Sequence, residues 1–378
     1  MFEIYFDNGA TTKPSQNVAD IMYETLTGDY GNPSSLHSKG LDAEHIVKNS
    51  RKIIADSVKA SADEIIFTAS GSEANNLAII GAARMFRYKG EIVTSKVEHK
   101  CVLECMNFLE NEGFKVHYLD VDENGVVSVE QLKSLLNKDT QLVSIMHVNN
   151  ECGAVQPINE IYAAVKEFNS EILVHTDNIQ GYCKFELTSK SCDMMSVSAH
   201  KIHGPKGMGA LYVRKGVRLS PVIYGGGQEK GLRGGTENVP AIAGFAKAVE
   251  TFDNNISVVL DIKKHIAKRV TTEIPKVYVN GDADNSSPYI LNIAMIGLRS
   301  EIILHSLEQK GIYVSSGSAC SSNKPSPSHV LTAMGYKPER VDSSIRLSFS
   351  NENTMEEANA FCDALAEISL KNKKVRKI

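Results

Sequence analysis

Between residues 65 and 213 the chain alternates short β-branched runs with amphipathic stretches, and this alternation constrains the fold more than any other feature. Strand candidates lie at 65–68, 91–94, 115–119, 141–147, 171–176, 194–198 and 210–213, while 73–86, 102–112, 129–136 and 158–168 carry apolar residues at helical spacing. Strand, helix, strand in that order is the pattern of βαβ units, which build a mainly parallel sheet covered by helices. The expected fold class is therefore α/β, with a seven-stranded sheet. After the glycine-rich segment 225–235 the pattern changes: helices at 239–252 and 256–273 flank Asp253-Asn254-Asn255, and strands become fewer. At 378 residues with 42% hydrophobic content the chain can fill two cores. The expected division is a large domain at 14–251 and a smaller α+β domain at 1–13 plus 252–378.

A net charge of −4 offers no broad basic surface, so direct nucleic-acid binding is disfavoured, and the basic stretch 371–377 reads as a solvated terminus. Met1 to Asp7 lacks a basic stretch followed by an apolar one, and nowhere do about 18 apolar residues run together. The expectation is a cytoplasmic protein without a membrane span. Seven cysteines, at 101, 105, 152, 183, 192, 320 and 362, include no Cys-x-x-Cys pair, which argues against a disulfide framework and a zinc ribbon. His99, Cys101 and Cys105 could share one helix face, but no second cluster accompanies them, so no metal is expected.

In an open α/β sheet ligands gather beyond the carboxyl ends of the strands. Three such ends carry chemistry. After 65–68, Ala69-Ser70-Gly71-Ser72-Glu73 turns straight into a helix, which places free N–H groups and small hydroxyls where a phosphate would sit, although on this segment alone Ser70 or Ser72 as a plain helix cap is the better-favoured explanation. After Ile172-Leu173-Val174, the run His175-Thr176-Asp177 puts a carboxylate at a strand exit with Gln180 three residues on. Asp177 could pair with a protonated ring nitrogen or simply cap a helix. After 194–198, Lys201 lies in the turn Ala199-His200-Lys201-Ile202-His203-Gly204-Pro205, where a desolvated amine could form a Schiff base. Phosphate cradle, acid and lysine are together the parts that hold pyridoxal 5'-phosphate. One thiol stands apart: Cys320 lies in Ser315-Ser316-Gly317-Ser318-Ala319-Cys320-Ser321-Ser322, a loop of about 315–328 in which Pro325 and Pro327 exclude regular structure.

Asp7-Asn8-Gly9-Ala10-Thr11-Thr12, Gly31-Asn32-Pro33-Ser34-Ser35-Leu36-His37, Glu98-His99, His147-Val148-Asn149-Asn150-Glu151, Ser198-Ala199-His200-Lys201, Arg233-Gly234-Gly235-Thr236 and the Cys320 loop occur in one order. In these motifs, nearly end to end, the chain resembles cysteine desulfurases of the NifS/IscS type, in the class V aminotransferase branch of the fold type I pyridoxal-phosphate proteins. The resemblance implies that Lys201 is the Schiff-base lysine, Asp177 the partner of the pyridine nitrogen and Gln180 a donor to the cofactor's phenolate oxygen. By the same resemblance His99 stacks on the ring and shuttles protons. Gly71, Ser72, Ser198 and His200 hold the phosphate, and Thr236 reaches the phosphate of a neighbouring subunit, which implies a homodimer. Asn150 would lie beside phenolate and substrate, and Arg346 would clamp the carboxylate of L-cysteine. Cys320 would take the sulfur as a persulfide, leaving L-alanine, with Gly317 as a hinge. The loop is similar to the long kind rather than the short SufS-like kind, and the implied acceptor is an iron–sulfur scaffold or a tRNA-thiolation enzyme.

Two positions depart from the family's pattern. Asp177-Asn178-Ile179-Gln180 keeps both polar contacts, whereas Ser348-Phe349-Ser350-Asn351 stands where relatives commonly have Ser-Leu-Gly-Arg. The second removes a positive charge expected near the substrate carboxylate. Cys152 reads as a small core hydrophobe. Competing readings are a selenocysteine lyase, which would share every cofactor residue, a plain aminotransferase, which would not need Cys320, and a non-catalytic sulfur-carrier or scaffold dimer.

Overall fold

The structure, a computed structural model, describes residues 3–316 and 327–375, the last four in backbone alone. The sequence expectations for Gly317 and Cys320 fall outside the described residues. The chain opens with β1 (Ile4–Tyr5), α1 (Gln16–Thr27) and α2 (Ser38–Ser57). The alternating region follows as β2 (Ile65–Thr68), α3 (Gly71–Ala83), β3 (Glu91–Ser95), α4 (Lys100–Asn111), β4 (Lys115–Leu119), α5 (Val129–Leu135), β5 (Thr140–Ser144), α6 (Ile158–Phe168), β6 (Leu173–Asp177), β7 (Met194–Ser198) and β8 (Gly209–Val213). Then come α7 (Val239–Thr251), α8 (Ile256–Glu273), β9 (Val277–Asn280), β10 (Ile290–Met295), α9 (Ser300–Glu308), β11 (Ile312–Tyr313), α10 (His329–Ala333), α11 (Pro338–Asp342), β12 (Ser344–Ser348) and α12 (Met355–Val375).

The central sheet has seven strands in the order β2-β8-β7-β6-β5-β3-β4, and only β8 runs against its neighbours. The mainly parallel α/β sheet expected from the alternation is present. β8 is antiparallel because the chain leaves β7 at Ser198 and returns at Gly209, directly opposite it. This tight return holds Lys201 at the carboxyl edge. Gly209 also lets β8 pass the exit of β2, since a methyl there would lie 2.7 Å from the carbonyl carbon of Ser70.

Alternate strand residues feed two apolar layers, as the period of two along a strand requires. Val143, Val174, Met195 and Val197 pack with Val47 and Phe245, whereas Leu142, Met194 and Leu211 pack with Leu77, Ile79 and Val102 on the other face. A separate core joins Ile4 and Phe6 to Ile262, Ile293, Leu347, Phe349 and Phe361, with the rings of Phe6 and Phe349 edge to face at 5.2 Å. A small cluster of Val97, Cys152, Val330, Leu331 and Met334 ties the loops of the large sheet to α10. Cys152 is the buried packing residue that its surroundings suggested.

Two differences from the sequence reading have physical causes. The strand expected over 141–147 ends at Ser144, because β3 has stopped at Ser95. The Ile145 and His147 N–H groups still donate to the His175 and Asp177 carbonyls of β6, at 3.1 and 2.9 Å, and the chain bends into the site. The helices α1 and α2 escaped the apolar-spacing test. The buried positions of α2 are Gly40, Ala43, Val47, Ser50, Ile54 and Ala55, mostly small residues without a hydropathic stripe.

Candidate active site

β6 and β7 exit side by side and set the acid and the lysine. Asp177, the last residue of β6, is 4% exposed. Its Oδ2 accepts the Asn75 Nδ2 hydrogen at 2.8 Å and its Oδ1 the Ile179 N–H at 3.0 Å. Lys201 ends the single helical turn Ala199–Lys201, and its Nζ donates to the carbonyls of Gly9 and Ala10 at 2.5 and 2.7 Å. Those two acceptors arrive from the amino-terminal segment, and the Gly9 carbonyl also receives Gln180 Nε2 at 2.8 Å.

The third strand end is built as a cap. Ser70 Oγ accepts the Glu73 N–H at 3.1 Å, so Gly71 and Ser72 open α3 with their N–H groups directed outward. His99 plays the same part for α4, its Nδ1 accepting the Cys101 N–H at 3.2 Å. The neutral ring therefore carries its proton on Nε2. Burial lowers the His99 pKa and raises that of Asp177.

One cavity of about 290 Å³ gathers Gly71, Ser72, His99, Asn150, Asp177, Gln180, Ser198, His200, Lys201 and Arg346. The structure thus brings together every described candidate but Thr236, which is exposed on the loop before α7, outside that cavity. Arg346 is 5% exposed. Its Nη1 donates to the Asn150 carbonyl at 2.9 Å and its Nη2 to Asp7 Oδ1 at 2.8 Å, while Nε is buried with no partner among the described residues. The guanidinium is held from its tip, with its Nε edge left unbonded among the described residues. Ser350 and Asn351 do not line this cavity but a second one. The Arg-to-Asn departure therefore falls in a different cavity from Arg346, contrary to the sequence expectation, because the chain turns at the end of β12.

Sequence reasoning missed Gly9, Ala10, Asn75, Cys101 and Ile179. Gly9 and Ala10 act through carbonyls, which no side-chain pattern marks. Asn75 was findable, since it stands one helical turn after Gly71 on the same face of α3. Its Nδ2 also meets Cys101 Sγ at 3.2 Å.

The donor set fits pyridoxal phosphate. A methyl at Gly71 would lie 2.2 Å from Ile179 Cδ1, so the backbone there is open only because the residue is glycine, as a close phosphate contact requires. Asp177 is a buried carboxylate whose hydrogen-bond donors are both neutral, which leaves it matched to a cationic ring N–H.

The family model for aminotransferase class-V matches residues 4–361. The chain belongs to that family. It is 42% identical to the cysteine desulfurase IscS of Dictyoglomus turgidum over 97% of this chain and 94% of that protein. Among solved structures it is similar to a NifS-like protein, with TM-score 0.91 and 37% identity over 97% of this chain and 99% of that one. It is also similar to SspA in complex with cysteine, with TM-score 0.82 and 37% identity over 92% and 99%. Within the class-V aminotransferases, the chain is of the NifS/IscS type.

Proposed function

We propose that the protein is a pyridoxal-phosphate-dependent cysteine desulfurase, which converts L-cysteine to L-alanine and passes the sulfur, as a persulfide on Cys320, to an acceptor protein. The observation that carries this reading is the convergence of Lys201, Asp177, His99 and Arg346 on one cavity, in a chain of the NifS/IscS type. Bound pyridoxal phosphate supplies an electron sink that stabilises negative charge at the substrate α-carbon.

In this reading Gly71, Ser72, Ser198 and His200 hold the phosphate, Gln180 and Asn150 face the phenolate side, and Lys201 anchors the ring. Asp177, kept anionic by the ring-nitrogen proton, holds that proton in place. Arg346 takes the substrate carboxylate on its Nε edge, already oriented by Asp7 and Asn150. Lys201 Nζ, between the Gly9 and Ala10 carbonyls, takes the α-proton. His99, with Nδ1 engaged by Cys101, acts as the donor half of a proton shuttle through Nε2–H. The Cys320 thiolate then attacks the substrate sulfur. The C–S bond breaks with its electron pair on carbon, an S–S bond forms, and carbon is reprotonated toward alanine.

The active form in this reading is a homodimer. Thr236 is exposed and outside its own chain's cavity, which supports a role toward a second subunit. Among the described residues no helix is long and apolar enough to cross a membrane, and a cytoplasmic enzyme is proposed. The separate cores of the two sheets support the division into 14–251 and 1–13 plus 252–378. An iron–sulfur scaffold or a tRNA-thiolation enzyme is the proposed class of acceptor. The test is multiple-turnover assay of the loaded enzyme with L-cysteine and a reductant, counting alanine and sulfide. Equal amounts support the reading, a keto acid without sulfide points to transamination, and no alanine refutes it. A rate with L-selenocysteine but none with L-cysteine makes the enzyme a selenocysteine lyase.

A further inference from the structure

Beside the cofactor cavity lies a second one, of about 200 Å³, and Lys201 is the residue both share. Its walls come from the turn after β6, the end of α7 and the turn after β12. Lys184, in the first of these, is 4% exposed, and its ammonium sits 5.0 Å from the ring centre of Tyr289, itself 3% exposed. Among the described residues that ammonium makes no hydrogen bond and no ion pair. Burial lowers the Lys184 pKa to about 8, so the group is still mostly charged at neutral pH. A buried cation whose sole polar contact is an aromatic face calls for an anion.

The same cavity holds the opposite deficit. Asn351 spends its Nδ2 on the Asp253 carbonyl, and its Oδ1 is buried with no donor among the described residues. Of the hydroxyls nearby, Thr12 Oγ1 donates to the His200 carbonyl and accepts the His203 N–H, Ser15 Oγ accepts the Val18 N–H as the cap of α1, and Ser350 Oγ accepts the Glu352 N–H. Asp253 and Glu352, which also line the cavity, are exposed carboxylates. A simple inorganic anion would meet these acids and leave Asn351 unsatisfied. A molecule carrying both a carboxylate and an ammonium satisfies Lys184, Asn351 and the acids together, and the volume, below the roughly 300 Å³ at which drug-sized pockets begin, suits a small one.

We propose that this cavity is a second binding site, for a small α-amino acid whose carboxylate pairs with Lys184 and whose ammonium donates to Asn351 Oδ1. The site does not depend on the desulfurase reading. Glycine is the probe, titrated calorimetrically into the full chain loaded with pyridoxal phosphate, while the cofactor's absorbance reports entry into the first cavity. Arg346→Met weakens that entry. In this background the expected result is glycine binding without an absorbance change, weakened at least tenfold by adding Lys184→Met and at least tenfold for acetate, which lacks the ammonium. No glycine binding to Arg346→Met, or equal binding with and without Lys184→Met, overturns the proposal. If Lys184→Met does not fold, Asn351→Leu in the same background decides: a tenfold loss supports the site and an unchanged isotherm refutes it. If the chain binds no pyridoxal phosphate, the desulfurase reading fails while the glycine titration of the unloaded chain still decides this site.

Discussion

Gly71→Ala tests whether the phosphate cradle is a backbone device. The new methyl would lie 2.2 Å from Cδ1 and 2.8 Å from Cγ1 of Ile179, and 3.4 Å from Cβ of Ser198. The first two distances cannot persist. α3 does not need the glycine, since alanine is the better helix former. Ile179 must therefore yield, and as part of the cavity wall it yields into the space the cofactor would use. Overpacking of this kind costs about 1–3 kcal/mol. Expressed in cofactor binding, that is roughly 5- to 150-fold weaker affinity at 1.4 kcal/mol per tenfold. The assay is equilibrium titration of the unloaded protein with pyridoxal phosphate, followed by absorbance, with far-ultraviolet dichroism to confirm an intact fold. Ile179→Ala deletes both offending atoms, so the double variant should recover most of the lost affinity. Wild-type affinity in Gly71→Ala, or no recovery in the double variant when Ile179→Ala alone binds normally, would refute the reasoning.

Three further outcomes are expected. Asn75→Ala removes a 2.8 Å donor from buried Asp177, and a hydrogen bond to a charged group contributes about 1.5–3 kcal/mol. The Asp177 pKa should rise, moving the acid limb of the kcat profile to higher pH and lowering kcat roughly 10- to 100-fold; an unmoved limb removes Asn75 from this role. Glu229→Ala breaks the two-pronged pair with Arg51, at 2.6 and 2.7 Å, and the 2.8 Å bond from the Phe67 N–H. Loss of one partner of a buried pair costs about 3–5 kcal/mol, so the unfolding transition should fall by roughly 6–20 °C, and a fall under 2 °C would contradict the structure. Glu98 is fully buried with Oε2 unpartnered among the described residues, and burial raises its pKa to about 8. The native state then holds a proton that the unfolded state has released, so Glu98 should contribute a decline in stability of about 1.4 kcal/mol per pH unit between the ordinary glutamate range and pH 8. Urea unfolding of Glu98→Gln should differ in slope from wild type by that contribution, and an identical slope in both proteins would show that Glu98 makes none.

Asp177 and Lys201 were legible because the first ends one strand run and the second follows another by three residues, and an open sheet places such ends at one edge. The Gly71 turn was legible for the same reason. Asn351 shows the limit: its position relative to Arg346 in sequence suggested the substrate clamp, yet a turn after β12 sends it to the other cavity. Gly9 and Ala10 lie some 190 residues from the lysine they hold, and they hold it with main-chain oxygens. α2 was missed because small residues bury well against α7 without leaving a hydropathic trace. What the sequence conceals here is contact between distant segments and work done by the backbone; what it displays is periodicity and punctuation.

The role given to Cys320 is tested most directly by single-turnover reaction of L-cysteine with wild type and Cys320→Ala, both loaded with pyridoxal phosphate, measuring alanine and protein-bound persulfide while following the cofactor's absorbance. The desulfurase reading predicts both products from wild type, and a variant that binds cofactor and cysteine but forms neither persulfide nor alanine. Equal alanine from the two proteins would contradict it.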